Sequence, residues 1–165
     1  MTVATERALP AVDAIAGFFA ALLGRPVTVA KDASPAPRGY PTAGAIYASG
    51  DGETGAILAC DLVAAASLGA ALSRMPPGRV DDAIRAGQLD ELLLDNFHEI
   101  ANVITRLFNP PAMQAVRPTP LVLATVYAGP DAAASLGMLA KARTRVDASL
   151  IVQGYRAGRV TLAYT

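Results

Sequence analysis

The stretch Leu93-Leu94-Asp95-Asn96-Phe97-His98-Glu99-Ile100-Ala101-Asn102-Val103-Ile104-Thr105-Arg106-Leu107-Phe108 decides how the rest of the chain is read. Leu93, Phe97, Ile100, Ile104, Leu107 and Phe108 recur at helical spacing and form one apolar stripe. At about 100° per residue, Asp95, Glu99, Asn102 and Arg106 gather on the opposite side. Asn102 is the unusual member of that polar face. An exposed mid-helix site is best filled by Ala, Glu, Lys or Arg, and Asn costs roughly half a kcal/mol more, because its amide competes for backbone hydrogen bonds. In a chain this rich in alanine, the amide itself is expected to be used.

Working outward, the segment before this helix reads as a hairpin and two helices. Ala43 to Ser49 and Thr54 to Cys60 are expected as strands joined by Gly50-Asp51-Gly52-Glu53, a tight turn. Asp61 caps a helix from Leu62 to Arg74 that Pro76-Pro77 stops, and a short helix runs from Val80 to Ala86. The signature helix itself spans about Leu89 to Phe108 and ends at Asn109-Pro110-Pro111. Further upstream lies a helix from about Glu6 to Leu23, closed by Gly24 and Pro26. A short strand, Val27 to Ala30, and a proline-rich loop over residues 31 to 41 follow it.

Downstream, Leu121 to Tyr127 reads as a strand, and Asp131 caps a helix to about Ala140. Thr144 to Gln153 and Arg159 to Tyr164 form a hairpin around Arg156-Ala157-Gly158. Strands paired by tight turns indicate a largely antiparallel sheet, so the expected class is α+β with long helices packed on one face. Each half opens with a long amphipathic helix ending in Gly or Asn and then proline, followed by strands, which suggests an internal duplication. With Asp13 laid on Asp95, Gly17 and Ala20 fall opposite Glu99 and Asn102. With the helix ends aligned, Ala14 and Gly17 fall there. Only the second half then carries the functional groups.

Composition narrows the function classes. With 165 residues the chain is read as one domain, residues 1–165, able to bury about two-thirds of its unfolded surface. It is 53 % hydrophobic and 17 % charged, with mean hydropathy +0.36, too apolar for disorder. Fourteen basic residues balance fourteen acidic ones and are scattered, which argues against nucleic-acid binding. No segment reaches the eighteen or so apolar residues a membrane span needs. The run from Ala8 to Gly24 carries Asp13 mid-way and reads as a core helix rather than a signal peptide; the expected location is the cytoplasm. The single cysteine, Cys60, excludes an internal disulfide and reads as a buried hydrophobe.

Asp95-x-x-x-Glu99-x-x-Asn102 resembles the signature of the CheC/CheX/FliY family of chemotaxis phosphatases: an acidic residue or serine, then glutamate, then asparagine on one exposed helix. The hairpin and helix of Ala45 to Met75 precede the signature helix as they do in CheX-like proteins, and Glu99-Ile100-Ala101-Asn102 is similar to the family's glutamate–asparagine core. The resemblance covers nearly the whole chain, mostly as pattern. Two features depart from it. Pro118 and Pro120 come slightly early for the family's proline, and the first helix carries no second motif, which resembles the single-site CheX arrangement.

The resemblance implies a CheX-like, pseudo-duplicated fold and a phosphatase acting on the aspartyl phosphate of a CheY-like receiver domain. Asn102 would orient the attacking water and Glu99 would pair with the receiver's lysine; these are the implied catalytic residues. Asp95 and Arg106 would touch the partner. The Mg²⁺ would belong to the receiver, so this chain needs no cofactor or metal site of its own. Three readings compete: a phosphatase; a non-catalytic receiver-binding or assembly module, with homodimerisation through an exposed sheet edge near Arg159 to Tyr164; and a small-molecule sensor with an apolar pocket.

Spacing alone favours a solvated helix face with Asn102 hydrogen-bonded to Arg106; the resemblance reverses that preference. His98 lacks a partner at diagnostic spacing and reads as a boundary residue. Asp81 and Asp82 beside Arg85 serve a helix dipole, and Gly50-Asp51-Gly52 is a turn rather than a phosphate loop. Gly17 reads as a close-packing site.

Overall fold

The computed structural model describes residues 8–114, 119–142 and 144–165; Glu6 and Pro118 lie outside the described residues. The elements are α1 Val12–Leu23, β1 Val27–Lys31, β2 Ala43–Ala48, β3 Thr54–Cys60, α2 Leu62–Leu72, α3 Gly78–Ala86 and α4 Glu91–Phe108. There follow α5 Pro111–Gln114, β4 Val122–Ala128, α6 Ala132–Ser135, a 3-10 turn Gly137–Lys141, β5 Thr144–Val152 and β6 Gly158–Tyr164. The helix α1 starts at Val12 with Ala11 extended as its N-cap, so Pro10 lies ahead of the helix and not in its first turn, and proline disfavours helical conformation at Leu9 before it. Asp131 does not cap α6 through its side chain; it is itself in helical conformation and only its carbonyl bonds to Ser135.

The strands form one antiparallel sheet in the order β1-β5-β6-β3-β2-β4. That order is unchanged when β1, β2 and β3 are exchanged with β4, β5 and β6, so the two halves of the chain are related by a pseudo-two-fold axis between β3 and β6. The edges are β1 and β4. The segment Arg159 to Tyr164, expected at an edge, is the inner strand β6, hydrogen-bonded to β5 on one side and β3 on the other. Its two partners lie about a hundred and about fifteen residues away along the chain. Local pattern does not carry information about the more distant one.

The inner strands β2, β3 and β6 are buried on both faces, whereas β5 exposes Arg145 and Ile151. On one face Ala56, Leu58, Cys60, Val160, Leu162 and Tyr164 meet the long helices, including Phe19 of α1, Leu68 of α2 and Phe97 of α4. On the other, Ile57, Ala59 and Ala163 pack with Leu136, between α6 and the 3-10 turn, and with Leu139 of that turn, a second thin layer in addition to the expected one. Cys60 is fully buried.

Beside that second layer is a polar cluster around Arg159, whose side chain is only 9 % exposed. Its guanidinium lies 3.4 Å from Asp32 and 3.5 Å from Asp147, donates to the Ser34 carbonyl at 3.1 Å, and sits over the Tyr40 ring. Thr161 donates to Asp147 and shares a 2.7 Å hydrogen bond with the Tyr40 hydroxyl. These contacts fasten the proline-rich loop 32–41 over the sheet. Arg159 and Thr161 alternate with apolar residues along β6 and would suit a wet face, yet this loop buries them.

The two long helices match position by position once their ends are aligned. Ile15, Phe19 and Leu23 are buried where Ile100, Ile104 and Phe108 are, and Asp13, Ala14, Gly17 and Ala21 are exposed where His98, Glu99, Asn102 and Arg106 are. Burial therefore selects the helix-end alignment of the two considered. Gly17 does not serve close packing: an added Cβ there meets no atom within 4 Å.

Two outcomes follow from this architecture. Gly17→Ala is expected to raise stability by about 0.5–1 kcal/mol, since it removes a mid-helix glycine without a clash; urea unfolding measures it. Asp147 concerns the polar cluster. Burial alone would raise its carboxyl pKa, but hydrogen bonds from Arg145 and Thr161 and the charges of Arg145 and Arg159 outweigh this and hold it below the ordinary 3.8. A depressed carboxyl stabilises the fold above its unfolded value and loses that contribution as pH falls. Asp147→Asn is therefore expected to cost about 2 kcal/mol near pH 7, with the gap from wild type closing as pH drops below 3.8. Unfolding curves at pH 7 and pH 3 check both the size and the sign.

Candidate functional site

The site is built on α4. Asp90 starts the helix by accepting from the Leu93 amide at 2.8 Å, and Arg79 holds that carboxylate at 2.6 Å. Leu93, Phe97, Ile100, Ala101, Ile104 and Phe108 are buried against the sheet and α2. The remaining face points outward: Asp95, His98, Glu99, Asn102 and Arg106 are all exposed. The four residues singled out from the sequence thus share one exposed face. Asn102 and Arg106 do not hydrogen-bond to each other; the side chains of Glu99, Asn102 and Arg106 have no hydrogen-bond or ion-pair partner among the described residues. The Asn102 backbone carbonyl accepts from the Thr105 hydroxyl, while its side-chain amide has no partner among the described residues.

Several groups not singled out from the sequence fix this helix. The buried Tyr47 hydroxyl, from β2, donates to the Ala101 carbonyl at 2.6 Å, one residue before Asn102. Burial, with Cys60 nearby, holds the Tyr47 phenol protonated by pushing its pKa well up. Tyr164, from β6, donates to the Phe108 carbonyl at 3.2 Å. Asn96 donates to the Gly69 carbonyl and the Ser73 hydroxyl, both at 2.8 Å, tying α4 to α2 one residue past Asp95. Gly69 permits the approach: a Cβ there would sit 3.0 Å from the Leu93 carbonyl oxygen. Asn109 ends the helix, donating to the Thr105 and Leu121 carbonyls and accepting from the Leu121 amide, which pins α4 to the start of β4.

Only Asn96 offered a sequence signal, a second mid-helix asparagine, and it falls at the rim of the apolar stripe. Leu92, exposed at 49 % in the first turn of α4, was also not singled out. Elsewhere, Asp82 pairs with Arg85, and Asp81 lies 3.0 Å from Arg156. Both acids are thus engaged by cations.

Chemically, the face offers a carboxylate and a carboxamide one turn apart on a helix hydrogen-bonded to its neighbours at Asn96, Ala101, Phe108 and Asn109. An amide both donates and accepts, so it can hold a water without changing charge. A free carboxylate can pair with an incoming cation. No group of three or more potential metal ligands occurs among the described residues, and no helix there is long and apolar enough to cross a membrane.

The sequence matches no known protein-family pattern and no curated protein. Solved structures do share its shape. The CheX–CheY complex with BeF3 and Mg²⁺ from Borrelia burgdorferi superposes with a TM-score of 0.58 at 14 % identity, over 92 % of this chain and 93 % of that one. The FliM–SpeE complex from H. pylori gives 0.61 at 8 % identity, over 93 % and 80 %. The FliM middle domain from H. pylori gives 0.59 at 9 %, over 93 % and 84 %. The alternating order of the sheet, the helix layer on one face and this coverage together place the chain in the fold shared by CheX and the FliM middle domain.

Proposed function

We propose that the protein is a phosphatase for the aspartyl phosphate of a CheY-like receiver domain, with Glu99 and Asn102 as its working residues. The single observation that carries this reading is the pair's placement: both side chains, without a partner among the described residues, stand on an outward face of a helix that is clamped from beneath. The likeness to CheX, seen in complex with CheY, supports the choice of partner.

The chemistry needs little from this chain. A receiver's phosphoryl group is attacked in line by water; the new P–O bond forms as the bond to the aspartate oxygen breaks, and the aspartate leaves as a carboxylate with inorganic phosphate released. Asn102 accepts a hydrogen bond from that water and aims it, a contribution of orientation rather than of acid–base strength. Glu99 pairs with the receiver's lysine and fixes the docking register. Asp95 and Arg106 contact the receiver on either side. Mg²⁺, which neutralises charge on the phosphoryl group, is supplied by the receiver. A partner of this kind places the protein in the cytoplasm, within chemotaxis or another two-component pathway.

A second reading has an observation of its own. FliM, seen in complex with SpeE, has the same fold, so the same scaffold accommodates assembly. In that reading α4 docks a receiver without speeding hydrolysis, and the free edge of β1 or β4 pairs two copies; the inner position of β6 removes the edge first expected to do so.

Glu99→Ala with Asn102→Ala is expected to return the phosphorylated receiver to its intrinsic decay, a loss of at least about a hundredfold in acceleration, with the fold intact because neither side chain packs. Phosphate release from a radiolabelled receiver measures it. Unchanged acceleration refutes the assignment, and wild-type binding without acceleration selects the assembly reading.

A further inference from the structure

We propose that Leu92 is the apolar anchor of the docking face, seating in a hydrophobic spot on the phosphorylated receiver and setting the direction in which the partner lies along α4. This rests on the receiver-docking reading above. Leu92 is 49 % exposed, and the other large exposed hydrophobics among the described residues, Val122, Met138 and Ile151, lie on β4, the 3-10 turn and β5. It belongs to neither apolar cluster of the protein.

A lone exposed leucine is ordinary on a protein surface, and its place is what matters here. At about 100° per residue, Leu92 falls with Asp95, Glu99, Asn102 and Arg106 inside an arc of about 80°. At about 1.5 Å per residue, it stands roughly 10 Å from Glu99, 15 Å from Asn102 and 21 Å from Arg106 along the axis. The face is therefore ordered: apolar end, two carboxylates, an amide, a guanidinium. Helix formation does not call for leucine at this point, since glutamine and glutamate have nearly the same propensity.

The order specifies its complement. A matching partner presents an apolar spot, then a cation about 10 Å further on against Glu99, then an anion against Asn102 and Arg106. A receiver carrying an aspartyl phosphate next to a lysine supplies the last two, in that sequence. Opposite charges towards the two ends exclude the reversed orientation, and the leucine adds desolvated contact at the end where the phosphoryl group is not. Because α4 is held at Asn96, Ala101, Phe108 and Asn109, little conformational freedom is lost when the anchor seats.

The test titrates the full chain into receiver domains loaded with beryllofluoride and Mg²⁺, alongside steady-state dephosphorylation. Leu92→Gln is expected to weaken binding about tenfold and to raise KM by a similar factor, with kcat at saturation unchanged. Ile151→Thr, on the sheet face away from α4, is expected to leave both unchanged. Wild-type binding that Leu92→Gln does not weaken overturns the anchor and leaves the docking reading standing. Equal weakening by Ile151→Thr also overturns it, since the loss would then reflect apolar surface in general. Failure of wild type to bind any loaded receiver overturns the docking reading itself, and the anchor with it.

Discussion

The arrangement depends on buried tyrosine hydroxyls that reach up from the sheet to the backbone of α4. An apolar stripe decides which side of α4 faces the sheet, but dispersion and burial are not directional and resist small slides and turns only weakly. A buried hydroxyl is directional and costly to leave unpaired. Tyr47 meets the Ala101 carbonyl and Tyr164 the Phe108 carbonyl, while the Tyr47, Phe108 and Tyr164 rings pack with centroids 4.8 and 5.7 Å apart. Rolling α4 by one residue would break both hydrogen bonds and turn Glu99 and Asn102 away from their outward bearing. The orientation of the exposed face is thus set from below, by residues that never touch a partner.

The pseudo-two-fold symmetry gives this constraint an internal control. α1 occupies the place in the first half that α4 occupies in the second, buries the same positions, and exposes Ala14 and Gly17 where α4 exposes Glu99 and Asn102. Packing therefore requires neither the carboxylate nor the amide at those positions. A glycine with open space around it on α1 shows the same independence from another side: the fold tolerates a poor helix former there without any packing return. α4 is the longer helix, eighteen residues against twelve, and at the positions the two share what distinguishes them is the chemistry at the surface.

Much of this was readable in the residues. Strong periodicity, Asp61 ahead of an apolar run, and proline or glycine stops placed the hairpins and most helices, although α1 starts at Val12 and the stretch after Asp131 is a short helix and a 3-10 turn; the exposed face of α4 follows from a helical period alone. What was not readable is long-range. The pairing of β3 with β6 joins segments about a hundred residues apart, so the C-terminal hairpin looked like an edge when it is the centre. Nothing beside Arg159 and Thr161 in the sequence marks them as buried, because the loop that covers them comes from residues 32–41. Tyr47 looked like one more strand residue, since an acceptor on a helix packed above it leaves no mark on its neighbours in sequence.

The shared fold leaves the two proposed roles, catalysis and assembly, to be decided by a handful of exposed atoms. CheX and the FliM middle domain have one architecture at identities of 14 % or less to this chain, so the architecture cannot be what selects between the two roles. A surface used only for docking has no need of an amide at Asn102 that a methyl or a second carboxylate could not meet, and in an exposed helix the amide is the dearer choice by about half a kcal/mol. Water positioned for in-line attack does need it, because the group must accept a hydrogen bond without competing for the proton or adding charge beside a phosphoryl anion. The balance between the two roles therefore turns on an uncharged acceptor held at a fixed bearing, and both halves of that phrase are properties of α4: the side chain supplies the first, and Tyr47 beneath it the second.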